Sequence, residues 1–72
     1  MTREEFLEEL VDILQTDEEL SFDTVLDDID EWDSLSKMAI MAFLNKEFNC
    51  NISFGDLKSF VTVNDIAKKV GI

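Results

Sequence analysis

The segment SLSKMAIMAFLNKE, residues 34–47, runs without glycine or proline, and its apolar side chains cover more of a helical surface than one stripe can hold. Ile40, Phe43, Leu44 and Phe48 fall on one face at the helical period, while Leu35, Met38 and Ala42 fall on a neighbouring one. A helix apolar on more than one side is either central to a fold or presents surface to a partner. This one is expected to do both, so the rest of the chain must supply elements that pack around it.

Those elements are legible on either side. Thr2 with Glu5 forms a T-x-x-E capping box, and Phe6, Leu7, Leu10, Val11, Ile13 and Leu14 follow at helical spacing, which predicts a first helix over about 3–15. Thr62 with Asp65 resembles another such box, and Val63, Ile66, Ala67 and Val70 give the apolar face of a last helix that Gly71 ends. A short helix is expected near 54–59, where Gly55 and its polar neighbours argue against anything long. Residues 16–33 hold nine acids and no base, with Leu20, Phe22, Val25, Leu26 and Ile29 at no clean period. They predict a long loop pinned by apolar anchors, with a helical turn around 23–28. Loops this long in a small domain are uncommon and often functional. With no alternating run to make a hairpin, the expected fold is all-α. It is a single domain over residues 1–72, a small four-helix bundle of three longer helices and one short one, with strand content near zero.

Composition then narrows the function classes. A chain of 72 residues buries only about 60% of the surface it exposes when unfolded. Its 46% hydrophobic content, patterned as above, is still too high for disorder. There is no His and a single Cys, Cys50, so a zinc site, a disulfide framework and a His-based catalytic constellation all lack their parts. A calcium loop counted from Asp28 fails, with Trp32 fifth, Asp33 in the glycine position and Ala39 in the glutamate position. MTREEFLEEL is acidic where a signal peptide is basic, and no apolar run approaches the roughly 20 residues of a membrane span. A cytoplasmic monomer is expected.

The net charge of −11 is uneven. Residues 1–36 hold 14 acids against Arg3 alone, a balance of −13, and residues 37–72 hold 3 acids and 5 lysines, a balance of +2. Such a field repels nucleic acid and anionic membranes and speeds encounter with basic protein surfaces, though it also serves simply to keep a small domain soluble.

The acidic loop leads straight to Asp33-Ser34-Leu35. Alone, this tripeptide reads as a helix start with Ser34 in the cap position. In context, a serine opening a central helix lies beside free backbone N–H groups and the positive end of the helix dipole, where a phosphate is well placed. With no base nearby to activate it, Ser34 is no nucleophile of its own enzyme and would have to be modified by another.

The chain resembles the acyl and peptidyl carrier proteins over nearly its whole length. The resemblance rests on the D-S-L stretch at 33–35, the helix closing in Glu47-Phe48, the following Ile52, and Thr62-Val63 opening the last helix. It implies a non-catalytic, free-standing carrier. In this family a serine at the start of the second helix receives 4'-phosphopantetheine from coenzyme A through a phosphopantetheinyl transferase. The thiol of that group then holds acyl or aminoacyl cargo as a thioester for loading ligases or transferases and downstream biosynthetic enzymes.

By the same resemblance Ser34 is the attachment site, Asp33 and Leu35 flank it for transferase recognition, and Met38 and Ala42 face partner enzymes. Phe60 falls near the prosthetic arm, and Ile40, Leu44 and Phe48 are core. Met38 is equally compatible with ordinary core packing. Trp32 replaces a residue commonly small in the family, and either packs the loop onto the bundle or joins the recognition surface. Lys37 and Lys46 stand on a helix that is typically acidic in fatty-acid carriers, Ser53 replaces a common proline, and Phe43 is bulky where smaller residues are frequent. These departures point to a specialised pathway rather than bulk fatty-acid synthesis. A rival from another class is a small acidic binding or inhibitor protein acting on a basic enzyme, for which Ser34 would be dispensable.

Overall fold

The computed structural model describes all 72 residues and contains four α-helices. They are α1 (Arg3–Leu14), α2 (Ser34–Phe48), α3 (Phe54–Ser59) and α4 (Val63–Val70), with a 3₁₀ turn at Leu26–Asp28 inside the long loop. The expected all-α bundle of three longer helices and one short one is therefore what forms, within a residue or so at each boundary. The sole strand-like feature is one antiparallel bridge between Val25 and Thr62. No helix is long and apolar enough to cross a membrane.

The ends of the helices follow from local chemistry. The Thr2 hydroxyl accepts from the Glu5 N–H at 3.1 Å and the Glu5 carboxylate accepts from the Thr2 N–H at 3.0 Å, the reciprocal box read from the sequence. Ser53 and Asp56 repeat it at α3, at 3.1 and 3.0 Å. At α4 the Asp65 carboxylate accepts from both Val61 and Thr62 N–H. Asn49 ends α2 in the left-handed region at φ 51°, which Asn tolerates, and Gly71 ends α4 at φ 85°, where the lack of a Cβ removes the penalty.

One core joins all four helices and the loop. Phe6, Leu10 and Leu14 of α1, Ile40 and Leu44 of α2, Leu57 of α3, and Val63, Ile66 and Ala67 of α4 are buried, together with Leu20, Leu26 and Ile29 from the loop and Ile52. The expected core residue Phe48 is only half-buried, at the margin. It sits there because α2 is ending, and its ring meets those of Phe6 and Phe43 in T-shaped pairs, with centroids 5.9 and 6.1 Å apart. On the far side of Phe6 lies Phe22 at 6.3 Å, with the Arg3 guanidinium 3.9 Å above the Phe22 ring.

The long loop is tied down along its length. Its N–H of Leu26 donates to Val61, and its carbonyls at Thr24 and Phe22 accept from Val63 and Asn64, at 2.9–3.1 Å. These bonds fasten it to the α3–α4 junction. Of its five apolar anchors, Val25 alone is exposed, and its backbone makes the bridge to Thr62 instead. The loop thus reaches α2 from a fixed direction, and α2 packs against both α1 and α3.

Candidate functional site

The start of α2 is built by two side chains, those of Asp33 and Ser36, and one backbone carbonyl, that of Glu31. Asp33 is extended (φ −121°, ψ −177°) and its carboxylate accepts from the Ser36 N–H at 2.9 Å. The Ser36 hydroxyl in turn accepts from the Asp33 N–H at 3.0 Å and donates its proton to the Glu31 carbonyl. Ser36 is only 9% exposed, so it welds the last loop residues to the first turn from inside. The Ser36 backbone N–H, and next the Ser36 side chain, hold the Asp33 carboxyl below its ordinary range by favouring the charged form.

This arrangement corrects the cap expected at Ser34. Asp33 is the cap, and Ser34 is the first residue inside the helix. Asp and Ser cap about equally well, so what decides is the residue three positions on. Asp33 finds Ser36 there. A cap at Ser34 would find Lys37, whose ammonium has no lone pair to accept a backbone N–H. The Ser34 hydroxyl is consequently left exposed and takes part in no hydrogen bond.

The residues expected to face partners divide into two groups. Leu35 (79% exposed), Met38 (54% exposed) and Ala42 form an exposed stripe on α2 with Ala39, opposite the buried Ser36, Ile40 and Leu44. Met38 therefore lies on the surface and not in the core. Trp32 and Phe60 are instead half-buried and pack against the core. The Lys37 ammonium lies 5.6 Å from the centre of the Trp32 ring, so Trp32 pins the loop onto the bundle beneath a lysine. An open cleft of about 420 Å³ beside the start of α2 brings Asp33, Leu35, Ser36 and Ala39 together with Ile13 and Leu14 of α1. Ser34, Met38 and Ala42 are not on its wall.

Ser36 is the residue that sequence reasoning missed. Its signal was the D-x-x-S spacing from Asp33, a capping pair with serine where Glu or Gln is usual. Ser36→Ala strips a partner from the Asp33 N–H and the Glu31 carbonyl at once and is expected to destabilise the fold by about 1–3 kcal/mol. Urea unfolding checks this, and a change below about 0.5 kcal/mol, the range of ordinary surface substitutions, would show that water replaces the hydroxyl.

The capping carboxylates also set the response to acid. Glu5, Asp33, Asp56 and Asp65 are each lowered, in every case chiefly by accepted backbone N–H bonds. A lowered folded-state value means that the unfolded chain binds more protons in this range, so stability rises with pH there. The contribution is complete above the ordinary values of 4.5 for Glu and 3.8 for Asp, and it is lost as pH falls through the lowered ones. Relief of repulsion within the −11 chain acts in the opposite sense. Replacing all four by their amides isolates the capping part. The quadruple variant should show a flatter acid limb of stability against pH than the parent, and parallel limbs would contradict this assignment.

A family model described as the phosphopantetheine attachment site matches residues 4–70, nearly the whole chain. No curated protein and no solved structure matched the chain. The length of the match, together with the four-helix fold, settles the family. The chain belongs to the phosphopantetheine-attachment-site family, the family of the acyl carrier proteins, whose members carry covalently attached 4'-phosphopantetheine.

Proposed function

We propose that Ser34 is the attachment residue and that the domain is a carrier that presents acyl or aminoacyl groups to partner enzymes without catalysis of its own. The observation that carries this reading is the freed hydroxyl. Asp33 and Ser36 share the capping work between them, and Ser34 is left exposed and unbonded in the first turn of a 15-residue helix. That environment fits the group, since a phosphodiester on Ser34 Oγ would lie at the positive end of the α2 dipole, clear of any acceptor that Ser34 must keep.

When bound, the group supplies a thiol on a flexible arm that holds cargo as a thioester. The chain's own residues do the rest. Ser34 Oγ must lose its proton as its bond to phosphorus forms, while the pyrophosphate linkage of coenzyme A breaks and adenosine 3',5'-bisphosphate leaves, and no His is present to take that proton. Asp33, the adjacent carboxylate, is already engaged as an acceptor by the Ser36 N–H. The base therefore belongs to a separate transferase, for which Asp33 and Leu35 flank the target. Leu35, Met38 and Ala42 then offer an apolar stripe for partners that dock and leave, and the acidic field raises encounter rates more than it deepens affinity. Trp32 and Phe60, half-buried against the core, are the further residues we assign to partner recognition. A cytoplasmic monomer suits such a shuttle.

Within the family we place the domain in a specialised pathway, loaded by an adenylating ligase and not by malonyl transfer. Lys37, Lys46 and Trp32 give α2 and its approach a different character from an acidic docking helix, and Phe43 fills space against Phe48. Supplying the modified protein with ATP, a ligase and a free acid or amino acid, in parallel with a malonyl transferase, separates the two.

The carrier role itself is tested by counting thiols. Cys50 is the single cysteine, so a Cys50→Ser variant has none. After treatment with coenzyme A, magnesium and a broad-specificity phosphopantetheinyl transferase it should titrate one thiol per chain. A count of zero with several transferases would favour the acidic binding protein.

A further inference from the structure

Lys37 stands alone in its part of the chain. Residues 4–36 contain no lysine or arginine, so it is the first cation after Arg3, and the next one, Lys46, is nine positions further along α2. Its place also runs against the stability of its own helix. The positive end of a helix dipole favours acids, and α1, α3 and α4 carry them in their first turns, at Glu4 and Glu5, at Asp56 and at Asp65. The first turn of α2 has none, and a lysine follows it directly.

Asp33 does not explain this lysine. The Asp33 carboxyl is lowered by the Ser36 backbone N–H first and the Ser36 side chain next, and Lys37 has no part in it. Nor does the side chain run out into solvent: Lys37 is half-buried, and its ammonium rests 5.6 Å from the centre of the Trp32 ring. Side chains on a helix lean toward its N-terminus, and Trp32 lies two residues before α2, so the ammonium is folded back over the start of the helix. Ser34 is three residues before Lys37, which makes the two neighbours on the helix surface, with Cβ atoms about 5–6 Å apart. The one cation near the start of α2 is thus carried toward the residue whose hydroxyl is free.

We propose that Lys37 is the chain's own counter-ion for the phosphodiester carried on Ser34, and that on attachment its ammonium leaves the Trp32 ring for that anion. This rests on Ser34 being the attachment residue. A lysine suits the task because its three donors turn on a flexible stem and meet a phosphate as a point charge. The exchange favours the phosphate, since opposite charges attract more strongly than a charge and a ring, and the contact with Trp32 is close to the ~6 Å limit of such contacts. Lys37 is then a positioning residue that holds the root of the arm against α2 while the rest of it stays free. The face of Trp32 that the lysine covered is released at the same time, so the attached and unattached forms offer partners different surfaces beside Ser34.

The test compares the protein before and after treatment with coenzyme A, magnesium and a phosphopantetheinyl transferase, with intact mass recording the gain. In NMR of protein isotope-labelled at lysine and tryptophan, the Lys37 Cε and Trp32 indole signals should shift on attachment, while those of Lys46, Lys58, Lys68 and Lys69 stay in place. Trp32 is the single tryptophan, so fluorescence reports the same event. Its emission should change when the parent is loaded. That change should be lost in Lys37→Gln, where no ammonium covers the ring at the outset, and restored in Lys37→Arg, which keeps a cation. A Lys37 signal that stays in place in the loaded parent, or an emission change of the same size in Lys37→Gln, would overturn the proposal and leave the carrier reading intact. No mass gain in the parent would overturn both.

Discussion

Ser34→Ala is expected to fold as the parent does and to accept no phosphopantetheine at all. The first half of that expectation comes from the capping network. The hydrogen bonds that start α2 run between Asp33, Ser36 and Glu31, and Ser34 contributes none. Alanine in the first turn of a helix is an excellent helix former, so thermal unfolding should be unchanged within the roughly 0.5 kcal/mol typical of surface substitutions. The second half comes from the chemistry. Ser36, two residues along, is 9% exposed and already donates its proton, so it cannot take over the reaction. The pair Ser34→Ala and Ser36→Ala should therefore separate: the first keeps stability and loses attachment, and the second loses stability. Loss of stability in Ser34→Ala would show that its hydroxyl has a structural task absent from the network described above.

Phe6→Ala carries the largest expected effect on the fold. Phe6 is fully buried, stacks on Phe22, and forms a T-shaped pair with Phe48, so it links the loop, α1 and the end of α2. Truncating a buried phenylalanine costs about 3–5 kcal/mol. A domain of 72 residues has in total about 4–11 kcal/mol, at ~0.05–0.15 per residue. A fall in Tm of more than about 12 °C is expected, and the variant should be partly unfolded at physiological temperature. Phe6→Leu keeps much of the apolar volume and should fold. A drop of less than about 5 °C in Phe6→Ala would mean that Phe22 and Phe48 collapse into the space and that the core does not depend on this ring.

Much of this architecture was legible because local and tertiary signals agree. The Thr2–Glu5 and Thr62–Asp65 boxes, the two-sided apolar pattern of α2 and the terminal Gly71 each point to the elements that form. What escaped were features that depend on which of two equivalent residues wins, or on chain segments meeting. Asp33 and Ser34 are adjacent and nearly equal as caps, so the assignment turned on Ser36, a residue with weak claims of its own in a helix. Thr16 is 7% exposed although it opens the acidic loop, and only the return of that loop along α1 buries it. The exposure of Met38 likewise required knowing which face of α2 the other helices cover.

The measurement closest to the central claim is intact-mass spectrometry of the purified protein and of Ser34→Ala after incubation with coenzyme A, magnesium and a broad-specificity phosphopantetheinyl transferase. The account predicts a gain of one phosphopantetheinyl mass in the parent and none in the variant. The same gain in Ser34→Ala would move the attachment to another residue, and no gain in the parent with several transferases would contradict the carrier reading itself.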